Sequence, residues 1–113
     1  MIIGMTDHYT YGYKNEKALL ELSGVGEKLW LEETPCFFWS PGLSPMEVTK
    51  TLNTADFLPT VLNLLGVQSP WDYIGHDAFD ESYEGYALFS DGSWISGETA
   101  YDASSGKHLY REE

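Results

Sequence analysis

The sequence is short of cysteine, of positive charge and of long hydrophobic runs. Among its 113 residues Cys36 is the only cysteine, which excludes an internal disulfide bond. Six basic residues stand against 18 acidic ones, and the net charge of −12 argues against nucleic acid or an anionic membrane as a partner. No apolar stretch approaches the ~18 residues of a membrane span. We therefore expect this segment to make no membrane contact.

The content of hydrophobic and aromatic residues indicates a folded protein. Hydrophobic residues make up 42% of the chain and aromatic residues 15%, which is too apolar for a disordered segment. We expect residues 1–113 to form a single domain. Its first part, residues 1–80, has an α/β pattern, and residues 81–113 have the pattern of antiparallel hairpins.

The most informative stretch is a short apolar run at residues 1–5, which ends just before Asp7 and His8. Apolar residues at successive positions are typical of a strand buried on both faces, as in a parallel sheet. Polar residues after such a strand lie where open α/β sheets place ligand sites. A carboxylate beside an imidazole can hold a divalent cation. The alternative is that Asp7 caps a turn and His8 is packed or solvated, and the dipeptide alone leaves both open.

A helix and a second strand follow. The spacing of apolar residues predicts a helix over residues 14–23, which Gly24 ends. Residues 34–42 predict a strand bracketed by prolines, again with burial on both faces and with parallel character. Within this strand we expect Cys36 to be a small core residue rather than a nucleophile, because no basic residue near it in sequence would lower its pKa.

A clearer helix is predicted over residues 56–65. Asp56 is a candidate N-cap, and Pro59 falls in the first turn, where its missing N–H costs nothing. Gly66 follows as the residue that ends the helix. The broad apolar face of this helix predicts a core role and needs no functional explanation.

The last thirty residues predict two hairpins. Asp91-Gly92 lies between two runs of strand-forming residues and is a strong two-residue turn signal. Residues 103–106 separate a second pair of such runs. Strands joined by connections this short pair antiparallel, so residues 81–113 predict a small antiparallel meander.

Taken in order, these pieces resemble the C-terminal part of a sulfatase-type phosphoglycerol transferase, in the lipoteichoic acid synthase family of the alkaline phosphatase superfamily. The resemblance covers nearly the whole chain, and an ordered series of motifs is more specific than any one of them. The motifs are Asp7-His8-Tyr9, the strand from Thr34-Pro35 to Pro41-Gly42, the segment from Asp56 through Pro59-Thr60 to Gly66, and Gly75-His76-Asp77-Ala78-Phe79. The implied fold class is α/β, which as a fragment becomes α+β with a C-terminal antiparallel meander.

The resemblance also implies a metal site. In that family the aspartate and histidine after the first strand are ligands of the catalytic divalent metal, and they map onto Asp7 and His8. The implied metal is Mn, with Mg, Zn and Ca as alternatives. It would polarise a phosphoryl oxygen and stabilise a threonine nucleophile as an alkoxide. Thr6 and Thr10 lie beside the pair, but neither matches the family's nucleophile motif.

The family's nucleophile and its neighbouring metal ligands are expected upstream of residue 1, so we expect this chain to be a C-terminal fragment, with half a metal site, that is inactive alone. Its expected partner is the upstream part of the same enzyme, and we also expect exposed apolar surface and a homodimer through an exposed strand edge. The parent enzyme is expected at the bacterial cell membrane with an extracellular catalytic domain. The alternative function is a stand-alone, non-catalytic binding or interaction module derived from the same fold.

Overall fold

The computed structural model describes residues 1–9 and 12–111 and divides the chain into two compact units. The first unit is Met1–Pro45, and the second begins at Met46. Each unit combines helix with antiparallel sheet, which confirms the α+β class expected of a fragment. The prediction that residues 1–113 are one domain of a longer enzyme stays a prediction.

The first unit is built on a two-stranded antiparallel sheet. Strand β1, Ile2–Met5, pairs with strand β2, Cys36–Trp39, so that Ile2 lies opposite Trp39. The predicted parallel character of these strands is wrong. Parallel pairing is the weaker ladder and is found in sheets covered on both faces, whereas two strands without further neighbours form better hydrogen bonds when antiparallel.

A helix and a 3₁₀ turn lie between these strands along the chain, and the buried apolar side chains of this unit belong to the turn. Helix α1, Glu16–Ser23, begins where the side chain of Asn15 accepts a hydrogen bond from the amide of Ala18. Gly24 ends it with a φ of +73°, a conformation that favours glycine. The 3₁₀ turn Lys28–Glu32 then buries the side chains of Trp30 and Leu31.

The second unit starts with the predicted helix. Helix α2, Phe57–Leu64, follows directly on a 3₁₀ turn at Thr54–Asp56. Pro59 lies in its first turn, and Gly66 follows it with a φ of +66°, both as predicted. Asp56 stands at the predicted N-cap position of α2, but its side chain makes no capping hydrogen bond to this helix. It instead completes a capping box with Asn53, which caps the preceding turn.

The rest of the second unit confirms the predicted meander. Strands β3 (Ala87–Leu88), β4 (Trp94–Ser96), β5 (Thr99–Asp102) and β6 (Lys107–Tyr110) are each paired antiparallel with the next. Alternate positions face inward, and the buried cross-strand row is formed by Ile95, Ala100 and Leu109. This row is the apolar core of the sheet.

Large apolar side chains are exposed on the first unit, as expected. Ile2, Phe37 and Trp39 are all exposed in the two-stranded sheet. Cys36 is exposed as well, so its predicted core position is wrong, although neighbouring groups desolvate the thiol and raise its pKa. None of the helices in residues 1–9 and 12–111 is long and apolar enough to cross a bilayer.

Candidate metal site

The two predicted ligands lie just past the end of β1. The strand ends at Met5, and Asp7 and His8 form a bend immediately after it. The Asp7 side chain is 88% exposed and that of His8 47% exposed. Both are therefore open to an ion arriving from solvent, and neither is engaged in the apolar core.

The imidazole of His8 is held by the main chain. Its Nδ1 lies 2.7 Å from the carbonyl oxygen of Tyr9, and because a carbonyl oxygen only accepts, the hydrogen bond requires Nδ1 to carry the proton. In the neutral ring this leaves the lone pair on Nε2. A backbone carbonyl that fixes the tautomer in this way is a common companion of metal-binding histidines.

Nε2 of His8 lies beside the carboxylate of Asp7. The distance from His8 Nε2 to Asp7 Oδ1 is 3.5 Å. Two donors that are each about 2.1 Å from an ion are about 3.4 Å apart in a tetrahedral site and about 3.0 Å apart in the octahedral sites that Mn prefers. The spacing of the pair therefore matches a tetrahedral divalent cation as it stands, and an octahedral ion would draw the two donors about 0.5 Å closer together.

A pair of donors is fewer than a catalytic metal site uses, because such sites have at least three protein ligands. Across residues 1–9 and 12–111, no three His, Cys, Asp or Glu side chains are grouped so that they could hold an ion. Thr10 lies outside the described residues. Among the described residues the two candidate donors thus lie side by side, and no third donor of these types joins them.

His8 lines a cavity of about 230 Å³. Hydroxyl groups and apolar side chains share its wall, together with one carboxylate, that of Glu33. The space next to the imidazole is therefore of mixed polarity and large enough for a small group. Its other lining residues are Thr6, Tyr9, Leu19, Ser23, Leu31, Thr34 and Pro35.

The second unit contains a polar centre that the sequence analysis missed. The carboxylate of Asp56 is 1% exposed and accepts three hydrogen bonds. Its Oδ2 accepts from the amide of Asn53 at 3.0 Å and from the hydroxyl of Tyr83 at 3.1 Å. Its Oδ1 accepts from the amide of His76 at 2.8 Å. Asp56 thus completes the capping box of the turn before α2 and, through His76 and Tyr83, also anchors the loop that follows the helix.

Neighbouring side chains complete this anchor. Thr60 Oγ1 donates to the Asp56 carbonyl and accepts from the amide of Ala78 at 2.8 Å. The ring of His76 stacks on that of Tyr83 with centroids 4.2 Å apart, and burial is the main cause that raises the pKa of the Tyr83 phenol. These contacts lie within the second unit, so they explain His76 as a structural residue.

Gly75 is a sequence feature that indicates this close packing. A Cβ on Gly75 would collide with the main-chain carbonyl of Ala55, so only glycine lets the loop lie against the start of α2. The motif that contains Gly75 and His76 and the motif that contains Asp56 and Thr60 are therefore the two halves of one packing arrangement.

Comparison with known proteins finds a distant relative. No protein-family model matches the chain, and no solved structure matches it. The chain is 29% identical, over an alignment of 126 residues, to lipoteichoic acid synthase 2 of Bacillus subtilis (strain 168). The alignment covers the whole of this chain and 19% of that protein, so the chain spans about a fifth of the relative's length. The chain is distantly similar to lipoteichoic acid synthase.

Proposed function

We propose that the chain is the C-terminal portion of a metal-dependent phosphoglycerol transferase or sulfatase-like enzyme of the cell envelope, in which Asp7 and His8 bind a divalent metal, Mn in the first instance. The spacing of 3.5 Å between His8 Nε2 and Asp7 Oδ1 carries this proposal. The distant similarity to lipoteichoic acid synthase 2 supports the choice of reaction class.

The Tyr9 carbonyl and the Asp7 carboxylate would each contribute to that metal site. The carbonyl of Tyr9 keeps the His8 ring in the tautomer whose Nε2 can bind a metal. Asp7 contributes a negative charge that favours a dication over a monovalent ion. When bound, the metal would polarise a phosphoryl oxygen of the substrate. Its remaining ligands and the nucleophile would come from the upstream part of the enzyme, which makes this chain inactive alone.

Paramagnetic NMR tests the metal pair directly. Mn²⁺ added below stoichiometry to the ¹⁵N-labelled chain should broaden the amide signals of Asp7 and His8 first. The chain contains its own control, since His76 and Asp77 are also adjacent imidazole and carboxylate residues. Broadening should be absent there, because the amide of His76 is bonded to Asp56 and its ring is stacked on Tyr83. Equal broadening of both pairs, or none, would contradict the proposal.

Calorimetry with matched variants then measures the affinity. Asp7→Asn and His8→Gln preserve side-chain size but remove a charge and an imidazole, and each should abolish the Mn²⁺ heat signal. Asp72→Asn and His108→Gln make the same changes at exposed positions of the second unit and should leave the signal unchanged. Binding that survives Asp7→Asn and His8→Gln would place the ion elsewhere.

Inactivity of the isolated chain is tested separately. The chain with saturating Mn²⁺ should not hydrolyse bis(p-nitrophenyl) phosphate above the rate of Mn²⁺ in buffer. Metal binding without hydrolysis is also what a stand-alone binding module would show. Hydrolysis that disappears in Asp7→Asn would show that these residues suffice for catalysis and would contradict the proposed dependence on an upstream part.

A further inference from the structure

We propose that Trp94, Tyr101 and His108, called the aromatic triad below, bind a small soluble organic cation that carries a quaternary ammonium group. The inference does not depend on the proposed metal site, because the aromatic triad lies in the second unit and uses other residues. It rests on the strand register, the distances between the three rings and the distribution of charge along the chain.

The register of the meander places the aromatic triad on one face of the sheet. Trp94 lies opposite Tyr101, and Tyr101 lies opposite His108. Directly opposed residues of antiparallel strands share a face, so the three side chains form a cross-strand row on the side opposite to the buried apolar row. Trp94 and Tyr101 are half-buried and His108 is exposed, so the row is open to solvent.

The three rings converge. The ring centroids are 6.5 Å apart for Trp94 and Tyr101, 5.1 Å for Tyr101 and His108, and 6.2 Å for Trp94 and His108. The last distance is short, because these two residues lie on strands two positions apart in the sheet, which is about 9.5 Å. An ion about 3.5 Å above the plane of the three centroids would be about 5 Å from each, within the ~6 Å at which rings attract a cation.

The rings of the aromatic triad are inclined to one another. The planes of Trp94 and Tyr101 differ by 26°, and the plane of His108 is inclined to them by 65° and 47°. The aromatic triad is therefore not a flat platform of the kind that stacks on a planar ligand. Inclined rings gathered around one point suit a rounded cation, for which quaternary ammonium groups are the standard case.

The charge of the second unit complements a cation. Residues 46–113 contain 12 acidic and three basic residues, which gives this unit a net charge of −9. The paired strand positions on the face of the aromatic triad contain no charged residue, and Lys107 lies on the opposite face, across from Asp102. A cation is thus attracted by the unit as a whole and meets no basic side chain at these positions.

Hydration favours a quaternary ammonium over other cations. The site is shallow, so it cannot replace the strong hydration of a metal ion or a primary ammonium. A quaternary ammonium is weakly hydrated, and its methyl groups also gain from contact with the rings. Each exposed cation–π contact raises affinity only about two- to fivefold, so we expect a Kd in the millimolar range.

An NMR titration of the ¹⁵N-labelled full chain tests the proposal. Choline chloride up to about 100 mM, with NaCl of the same ionic strength as the reference, should shift the indole N–H signal of Trp94 and the amide signal of His108. 3,3-Dimethylbutan-1-ol has the same shape without the charge and should bind at least about fivefold more weakly. The indole of Trp71, which is 75% exposed in the same unit, is the internal control and should not shift.

Matched variants assign the binding to the rings. Tyr101→Leu keeps an apolar side chain but removes a π system, so it should weaken choline binding about threefold and leave binding of the alcohol within about twofold. His108→Phe provides a better ring for a cation and should strengthen choline binding about twofold, a gain that a misfolded sheet would not produce. Trp71→Leu should leave the affinity unchanged.

The contrary results are equally clear. A Trp94 signal that does not move at 100 mM choline would overturn the proposal. Equal affinity for choline and the neutral alcohol would overturn it and identify an apolar patch. Equal shifts at Trp71 and Trp94 would overturn it and indicate non-specific attraction to an acidic protein. Binding to phosphatidylcholine vesicles without binding of free choline would also overturn it and would point to a lipid surface.

Discussion

The main-chain amide of His76 donates a hydrogen bond of 2.8 Å to Oδ1 of Asp56, which lies twenty residues earlier in the chain. This contact holds the loop before the meander against the turn that precedes α2. The carboxylate is 1% exposed, so its removal would leave part-buried donors on the loop without their acceptor. The stability of the second unit should therefore depend on this aspartate far more than on its surface carboxylates.

Replacement of Asp56 tests this dependence. In Asp56→Ala the amides of Asn53 and His76 and the hydroxyl of Tyr83 would lose their shared acceptor. We expect the free energy of unfolding to fall by about 3 kcal/mol. Urea unfolding followed on the NMR signals of α2 measures it. Asp72→Ala, at an exposed position, should change stability by less than about 0.5 kcal/mol, and equal losses in both variants would contradict the anchor.

Gly75→Ala should destabilise the same unit by steric conflict. The added methyl group would meet the carbonyl of Ala55, which is main chain and cannot rotate away, so the loop must shift. We expect a loss of about 2 kcal/mol. The matched control is Gly26→Ala, since a Cβ at Gly26 has open space around it and its φ is not in the left-handed region. A neutral Gly75→Ala would show that the loop is not held where the structure places it.

Thr60 connects α2 to the same loop through its hydroxyl. In Thr60→Val the isosteric side chain still fills the site, but the buried amide of Ala78 loses its acceptor. Thermal or urea unfolding should show a loss of about 1–3 kcal/mol. Thr60→Ser keeps the hydroxyl and should recover most of the stability difference. If valine and serine have the same effect, packing rather than the hydrogen bond explains the role of this residue.

Asp102 should titrate well below an ordinary aspartate. Its pKa is lowered from 3.8 to about 2, first by the hydroxyl of Ser104 and then by that of Ser105. A group whose pKa is lower in the folded state stabilises the fold above its unfolded pKa. That contribution is lost as the pH falls from 3.8 through about 2.

An NMR titration of the Asp102 carboxyl carbon measures this value. In Ser104→Ala the midpoint should move up towards 3.8, since the strongest donor to the carboxylate is gone. Ser82→Ala removes the equivalent hydroxyl donor from Asp80 instead and is the matched control, which should leave the Asp102 midpoint unchanged. An unchanged Asp102 midpoint in Ser104→Ala would contradict the assignment of the shift to that hydroxyl.

Local sequence signals predicted much of the second unit. Asp91-Gly92 predicted a hairpin between β3 and β4, and Gly92 has a φ of +90°, which few other residues adopt. Pro59 and Gly66 bounded α2 correctly. These predictions succeed because a turn or a helix end depends on the backbone preferences of a few neighbouring residues.

Features set by distant residues were predicted poorly or not at all. The apolar strands β1 and β2 suggested parallel pairing, yet residues 1–9 and 12–111 provide them with no further strand and the pair is antiparallel. Local pattern predicts the helix position of Asp56 but not its burial, because its partners His76 and Tyr83 lie 20 and 27 residues further along the chain. Metal binding by Asp7 and His8 stays a prediction.

The sequence by itself determined the helix ends, the hairpin turns and the placement of an acid and an imidazole after the first strand, because each depends on chemistry within a few residues. The tertiary structure decided the direction of the β1–β2 pair, the exposure of Phe37 and Trp39, and the burial of Asp56. These features depend on which distant residues pack against each surface and form each hydrogen bond. Such residues come together only when the chain is folded.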